Sequence, residues 1–290
     1  MSQVSISYKT KTNLISELLE QENIKVIEEK KGLISKFISS KKEYADIYFH
    51  SGSIDEKAID LSENAKTIIV NSYSSKEELL SKANIDSKKV EVVYPSIDID
   101  YEKPKFVKQR VCEKLEISPS KKIILFTANN IKASGVKEFI ETIFSLNEQN
   151  FIGIIAADSK QIYNLKFQLS KFSYSNKLLL VEDYDNMDEL YLASDIFLLP
   201  TYNKSFATSV LKAMYCKCAV FTTVNNHAKE LVDVFSTMES PTDRSAPFKV
   251  DALLMQKEEL KKIKKENRKT AKKFTLEKNL QKVNEIIQAV

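Results

Sequence analysis

Short apolar segments rich in Ile and Val alternate along this chain with longer stretches whose apolar residues recur at helical spacing. That alternation leaves few architectures open, because it is the pattern of parallel strands joined by crossover helices, an α/β fold with helices on both faces of each sheet. In the first hundred residues it predicts strands at 4–8, 24–27, 46–50, 67–71 and 90–94, with helices near 11–21, 32–42, 54–63 and 74–83. Pro95, Pro104 and Pro119 then stand among Asp, Ser and Lys in residues 95–121, which marks a linker with a boundary near 103. A second βα succession follows, with strands at 122–127, 151–157, 178–182, 195–199 and 219–223 and helices at 134–148, 160–173, 186–193 and 206–216. Its first strand shows no alternation and is expected to be buried on both faces. The chain therefore reads as two Rossmann-like, doubly wound parallel-sheet domains: a shortened one at 1–103, a second at 104–265, and a C-terminal helix at 266–290 packing back toward the first. A ligand site in such a domain lies in the crevice beyond the carboxyl ends of the strands.

Composition removes several classes of function. A length of 290 residues suits about two domains at ~150 residues each. The longest apolar run, residues 151–157, is far short of the ~18 residues of a membrane span. No basic stretch followed by an apolar core opens the chain as a signal peptide would, so a cytoplasmic protein is expected. Cys112, Cys216 and Cys218 match neither a C-x-x-C redox motif nor a zinc spacing, and read as reduced thiols. The four glycines (Gly32, Gly52, Gly135, Gly153) lie in neither of the two glycine-rich phosphate-loop spacings. With His50 and His227 the only histidines, no metal site and no cofactor are expected. The net charge of +4 is uneven: residues 255–290 hold 11 Lys/Arg against 5 Glu, so the rest of the chain sums to −2. Leu260, Ile263, Leu280, Val283, Ile287 and Val290 recur there at helical spacing, so the basic residues read as solvated faces of docked helices. A peripheral contact with anionic lipid stays open. Nucleic-acid binding is not expected, since no reader motif accompanies the charge.

The segment from Glu189 to Val220, ELYLASDIFLLPTYNKSFATSVLKAMYCKCAV, resembles the donor-binding region of the retaining nucleotide-sugar glycosyltransferases of GT-B fold, the glycosyl transferases group 1. That family reads as a helix ending in A-A-D, a strand V-F-V-L-P-S, then E-G-F-G and E-A-M-A-C-G-x-P-V. Other pieces resemble the family in order. Ile124-Leu-Phe126 ahead of Gly135-Val136 is similar to the strand and loop that open the second domain, and Val92-Val-Tyr-Pro-Ser-Ile-Asp98 to the V-I-P-N-G-V-D linker. Residues 65–80 are similar to A-D-x-V-I-x-V-S, and Phe274-Thr-Leu-Glu277 to the F-S-W-E before the last helix. The resemblance implies a GT-B fold and a nucleotide sugar as donor.

At the four positions that carry the family's chemistry this chain differs. The resemblance implies an Arg and a Lys gripping the donor diphosphate where Asn129 and Ser134 stand, and an E-x7-E pair, one carboxylate near the transferred sugar and one for the ribose, where Lys204 and Lys212 stand. Ala207 replaces the second glycine of E-G-F-G, Lys217 the glycine after Ala-Cys, and Asn225-Asn226 a frequent Gly-Gly. Losing two charge-assisted hydrogen bonds at about 1.5–3 kcal/mol each weakens a donor by about 3–6 kcal/mol, or roughly 10²- to 10⁴-fold. An ammonium in place of the sugar-facing carboxylate also opposes a cationic, oxocarbenium-like transition state. The exchange nevertheless keeps two cations near the start of helix 206–216, where an anion could sit. The candidate ligand-binding residues are thus Asn129, Ser134, Lys204, Phe206 and Lys212.

In the first domain, Ser5-Ile-Ser-Tyr8 runs into Lys9-Thr-Lys-Thr12 with no glycine, where the family carries a glycine-rich loop near the acceptor. Tyr44-Ala-Asp46-Ile-Tyr-Phe-His50 resembles a family strand end, making His50 the only catalytic candidate; a histidine satisfied locally at a strand end is the other reading. His227 reads as a surface residue without a partner. The expectation is a degenerate, catalytically inactive homologue acting as a binding or scaffolding partner of an active glycosyltransferase or of another protein assembly. The alternative is an active enzyme with a rearranged donor site, in which lysines of helix 206–216 hold the donor phosphates and His50, Asp158 or Asp183 assists.

Overall fold

The computed structural model describes residues 3–27, 43–170 and 176–290, and divides into two units, one of residues 1–98 with 274–290 and one of residues 99–273. The predicted helix at 32–42 and the last residues of the one at 160–173 lie outside the described residues.

The first unit contains β1 (Val4–Tyr8), α1 (Asn13–Leu19), β2 (Ile24–Val26), β3 (Ile47–Phe49), α2 (Glu56–Asn64), β4 (Thr67–Val70), α3 (Tyr73–Lys82) and β5 (Val90–Val92). Its strands pair in parallel in the order β2-β1-β3-β4-β5. Successive side chains of a strand point to opposite faces, and the core divides accordingly. Ile47, Phe49 and Ile69 pack on one face with Leu14, Ile15 and Leu18 of α1, whereas Tyr48, Ile68 and Val70 pack on the other with Ala58 and Leu79 of α2 and α3. Each crossover helix here starts on a residue whose side chain accepts a backbone N–H of its first turn: Thr12, Asp55 and Ser72.

The second unit runs α4 (Pro104–Lys114), β6 (Lys122–Thr127), α5 (Val136–Ser145), β7 (Phe151–Ala157), α6 (Ser159–Leu169), β8 (Leu178–Glu182), α7 (Met187–Ala193), β9 (Ile196–Leu199), α8 (Thr208–Tyr215), β10 (Ala219–Thr223), β11 (Thr237–Met238), α9 (Ala246–Met255) and α10 (Lys257–Ala271). Its six strands are parallel in the order β11-β10-β9-β6-β7-β8. Residues 123–126 of β6 and all of β9 and β10 are buried, as the unbroken apolar runs require of strands covered on both faces.

Residues 95–121 are not the linker predicted from their prolines, because α4 occupies 104–114. Pro104 sits in its first turn, where a missing N–H costs no helical hydrogen bond, and Val107, Val111 and Cys112 are buried beneath it. The last predicted helix, 266–290, is two helices. Asn267 of α10 donates from Nδ2 to the Cys218 carbonyl at 2.9 Å, and the Arg268 guanidinium lies 3.2 Å from the Tyr101 ring centroid, so α10 belongs to the second unit. The helix α11 (Leu276–Gln288) belongs to the first, where Val283 and Ile287 join the core and Asn279 donates to the Tyr94 carbonyl at 2.8 Å. Val290, assigned to the docked stripe by its spacing, lies beyond the end of α11 and is 37% exposed.

Candidate functional site

In the second sheet the chain starts at β6, moves outward through β7 and β8, then returns to lay β9 on the other side of β6. The carboxyl ends of β6 and β9 are therefore the switch point, where the following helices leave on opposite faces and a crevice opens. Two loops line it, residues 128–135 after β6 and 200–207 after β9.

These loops are pressed together. Gly135 has φ +86°, and a Cβ there would lie 1.8 Å from the Pro200 carbonyl oxygen, so only glycine fits. Tyr202 Oη donates to Glu138 Oε1 at 2.8 Å, and Asn203 Nδ2 to Ser134 Oγ at 3.5 Å. On the far side Gln161 of α6 holds the first loop, accepting from Ile131 N at 2.9 Å and donating to the Asn129 carbonyl at 3.0 Å.

The second loop is anchored by Asn226, which is fully buried. Its Oδ1 accepts from Ala207 N at 3.2 Å and Ala228 N at 3.0 Å, and its Nδ2 donates to the carbonyls of Asn203 at 2.9 Å and Ser205 at 2.7 Å. Thr223 Oγ1 donates to the Thr201 carbonyl at 2.8 Å, and His227 N to the Lys204 carbonyl at 2.8 Å. In the sequence Asn226 stands out only as a departure from Gly-Gly; nothing there signals that its amide anchors this loop. Half-buried and tied to Lys204 through its backbone, His227 is not the surface residue expected.

The five candidate ligand-binding positions differ in burial and bonding. Asn129 is exposed and its carbonyl is used by Gln161. Ser134 is buried beneath Asn203. Phe206 is buried and fixes the loop from the apolar side, while Lys204 is exposed and forms no ion pair among the described residues. Lys212, in the second turn of α8, turns to Asp188 at the start of α7, with Nζ 3.2 Å from Oδ1.

The helices around the crevice differ in their caps. Those after β7 and β8 begin on Asp158 and Asn186, whose side chains cap them, whereas α5 and α8 begin on Gly135 and Ala207 with no side-chain cap. Asp158 also accepts from Gln161 Nε2. Asp183, at φ +45°, accepts from Ser159 N at 3.1 Å. Both carboxylates named as possible assistants are thus engaged at the start of α6.

His50 lies in the other unit, at the carboxyl end of β3 beside β1, the switch point of the first sheet. It is only 3% exposed. Its Nε2 lies 3.3 Å from the Gly52 carbonyl, which can only accept, so Nε2 carries the proton and Nδ1 accepts from Tyr48 Oη at 3.2 Å. Burial, with the Lys9 ammonium adding to it, lowers its pKa to about 4. The ring is a satisfied, neutral group with no nitrogen left to take a proton from a substrate. The three cysteines are buried free thiols, and burial raises the pKa of each.

Comparison with known proteins gives the following. The family model described as "Glycosyl transferases group 1" matches residues 107–270, more than half of the chain. No curated protein matches the sequence. Among solved structures, a glycosyltransferase from Rickettsia africae superposes with TM-score 0.74 at 19% identity, covering 96% of this chain and 79% of that one. Anabaena HepE in complex with UDP superposes with TM-score 0.72 at 14% identity, over 84% of this chain and 72% of that one. WaaG, a glycosyltransferase involved in lipopolysaccharide biosynthesis, superposes with TM-score 0.68 at 13% identity, over 98% of each chain. Among the described residues no helix is long and apolar enough to cross a membrane.

Proposed function

This chain belongs to the glycosyl transferases group 1 family and has its two-sheet GT-B fold, and from that premise we propose that it is a member that no longer transfers sugar and uses the retained fold as a binding or scaffolding module. Its partner would be an active glycosyltransferase or another cytoplasmic assembly.

One observation carries this reading. Where the resemblance implies two carboxylates, one for the sugar and one for the ribose, the crevice has an exposed ammonium, Lys204, and a second ammonium, Lys212, tied to Asp188 at 3.2 Å. A transition state that builds positive charge at the sugar meets the wrong sign there. The loops themselves are fully supported by Gly135, Gln161 and Asn226, so the frame outlasts the chemistry. His50, with both ring nitrogens engaged, supplies no base in the first unit.

The experiment is incubation of the purified protein with UDP- and GDP-sugars, following nucleoside diphosphate release by coupled assay with and without sugar acceptors. The expected result is no release above the protein-free rate. Release that Lys204→Ala abolishes would support the second reading, an active transferase with a rearranged donor site. That reading is favoured by the first turn of α8, which has no side-chain cap and stands beside the exposed Lys204, and by HepE, which is similar in fold and holds UDP.

A further inference from the structure

At the opposite end of the second sheet from the crevice, by the amino ends of its strands, a cavity of about 390 Å³ opens between the sheet and α10. Six lysines line it: Lys122 at the start of β6, Lys217 between α8 and β10, and Lys257, Lys261, Lys264 and Lys265 on one face of α10. The four on α10 are spaced i, i+4, i+7 and i+8, so the helix turns them all the same way. Asp195, ahead of β9, is the only carboxylate in the lining.

That carboxylate is already matched. Lys108 and Lys264 approach it at 2.8 Å each and Lys122 at 3.5 Å. Lys261 pairs with exposed Glu258 at 2.7 Å. Lys217, Lys257 and Lys265 form no ion pair among the described residues, and these are the cations the cavity leaves uncompensated. Their mutual repulsion is relieved by an anion, and by one carrying several charges more than by one carrying a single charge.

Lys217 adds a second argument. Its φ is +65°, and it follows α8 at the position where glycine ends a helix without a steric penalty. A lysine holds that left-handed conformation against a backbone cost, and what it contributes there is an ammonium in the lining. Six ammonium groups on flexible stems, without a planar guanidinium in the lining, are suited to a compact, multiply charged phosphate. The volume lies within the range of small-molecule pockets.

We propose that this lysine pocket is a second ligand site, separate from the crevice, for a group bearing two or more phosphate charges, presented free or on a lipid headgroup. The test has two arms. In the first, inorganic tripolyphosphate is titrated calorimetrically into the full chain at low and at raised salt. Saturable binding that weakens with salt is expected. The triple variant Lys217→Gly/Lys257→Gln/Lys265→Gln should weaken it about thirtyfold, at about threefold for each lysine removed. Because glycine relieves the left-handed strain, the variant's melting temperature should not fall, which separates lost binding from lost folding. Lys137→Ala, an exposed lysine of α5 outside the lining, should leave the titration unchanged. In the second arm, flotation is measured with phosphatidylcholine vesicles with and without phosphatidic acid. Flotation with the acidic lipid that the triple variant loses assigns the phosphate to a headgroup; tripolyphosphate binding without flotation assigns it to a free compound. Absence of both, or binding of either kind that survives the triple substitution, overturns the proposal.

Discussion

Replacing Asn226 by alanine should loosen the crevice loop more than any substitution of its lysines. Asn226 is fully buried and makes four hydrogen bonds, two accepted from the amides of Ala207 and Ala228 and two donated to the carbonyls of Asn203 and Ser205. At about 1 kcal/mol net for each, the set contributes about 4 kcal/mol. Water can reach the exposed side of residue 203, so the expected loss is about 2–4 kcal/mol. For a domain of this size each kcal/mol shifts the melting temperature by about 2–4 °C, which places the variant about 5–15 °C below wild type by scanning calorimetry. Asn226→Asp keeps both acceptors but loses both donors and sets a carboxylate against two carbonyl oxygens, so it should be no more stable than the alanine variant. The His227 amide, bonded to the Lys204 carbonyl at 2.8 Å, should exchange with solvent faster in both. An alanine variant that melts within about 1 °C of wild type, with His227 still protected, would refute the reasoning.

Gly135→Ala should cost about 2–4 kcal/mol in a denaturant titration, because the methyl overlaps the Pro200 carbonyl and φ is positive; a loss below about 1 kcal/mol would contradict the geometry. Asp195→Asn should cost about 3–5 kcal/mol at neutral pH, since it leaves Lys108 and Lys264 facing no charge. Burial alone would raise the Asp195 pKa, but Lys264 and Lys108 outweigh it and hold the carboxyl well below its ordinary 3.8. Its contribution is therefore complete above about pH 4 and lost as pH falls through the folded-state value, and acid titration of stability should show that loss in wild type and not in the variant. The His50 resonances should titrate near pH 4 rather than 6.5 by NMR. Because that value is depressed, the unfolded chain binds the proton first, and stability tied to His50 is lost between about 6.5 and 4 as pH falls; a midpoint near 6.5 would mean that the ring is open to solvent.

The second sheet was legible because its strands are buried on both faces. The predicted bounds of β6, β7, β8 and β10 agree with the structure, and the crevice follows from the order of those strands. In the first sheet β1 also matches its predicted bounds, whereas β2 to β5 are one or two residues shorter than predicted, since residues such as Ile27, His50 and Val93 still bond to a neighbouring strand while the ladder has ended. The helix α4 was hidden by its proline and its charges, with Val107 and Val111 too few to set a period. In α10, charge dominates the pattern, and what ties its last turns to the second unit is a buried amide, Asn267, reaching Cys218, together with Arg268 stacked on Tyr101. Asn226 was illegible for the same reason: the worth of a buried amide lies in partners about twenty residues away. The positions where the resemblance implies two carboxylates were, by contrast, legible in the sequence, because Lys204 and Lys212 stand at that same offset. What sequence could not show is that the second of them is bonded to Asp188.

The most direct measurement is calorimetric titration of the purified protein with UDP, GDP and their sugar conjugates at millimolar ligand and modest salt. If Asn129 and Ser134 stand where the resemblance implies the diphosphate-gripping cations, as the proposed function holds, donor affinity should be about 10²- to 10⁴-fold weaker than a working site provides, so no saturable heat is predicted. Binding at tens of micromolar or tighter, lost on Lys204→Ala, would contradict the account and mean that the crevice has been rebuilt around its lysines.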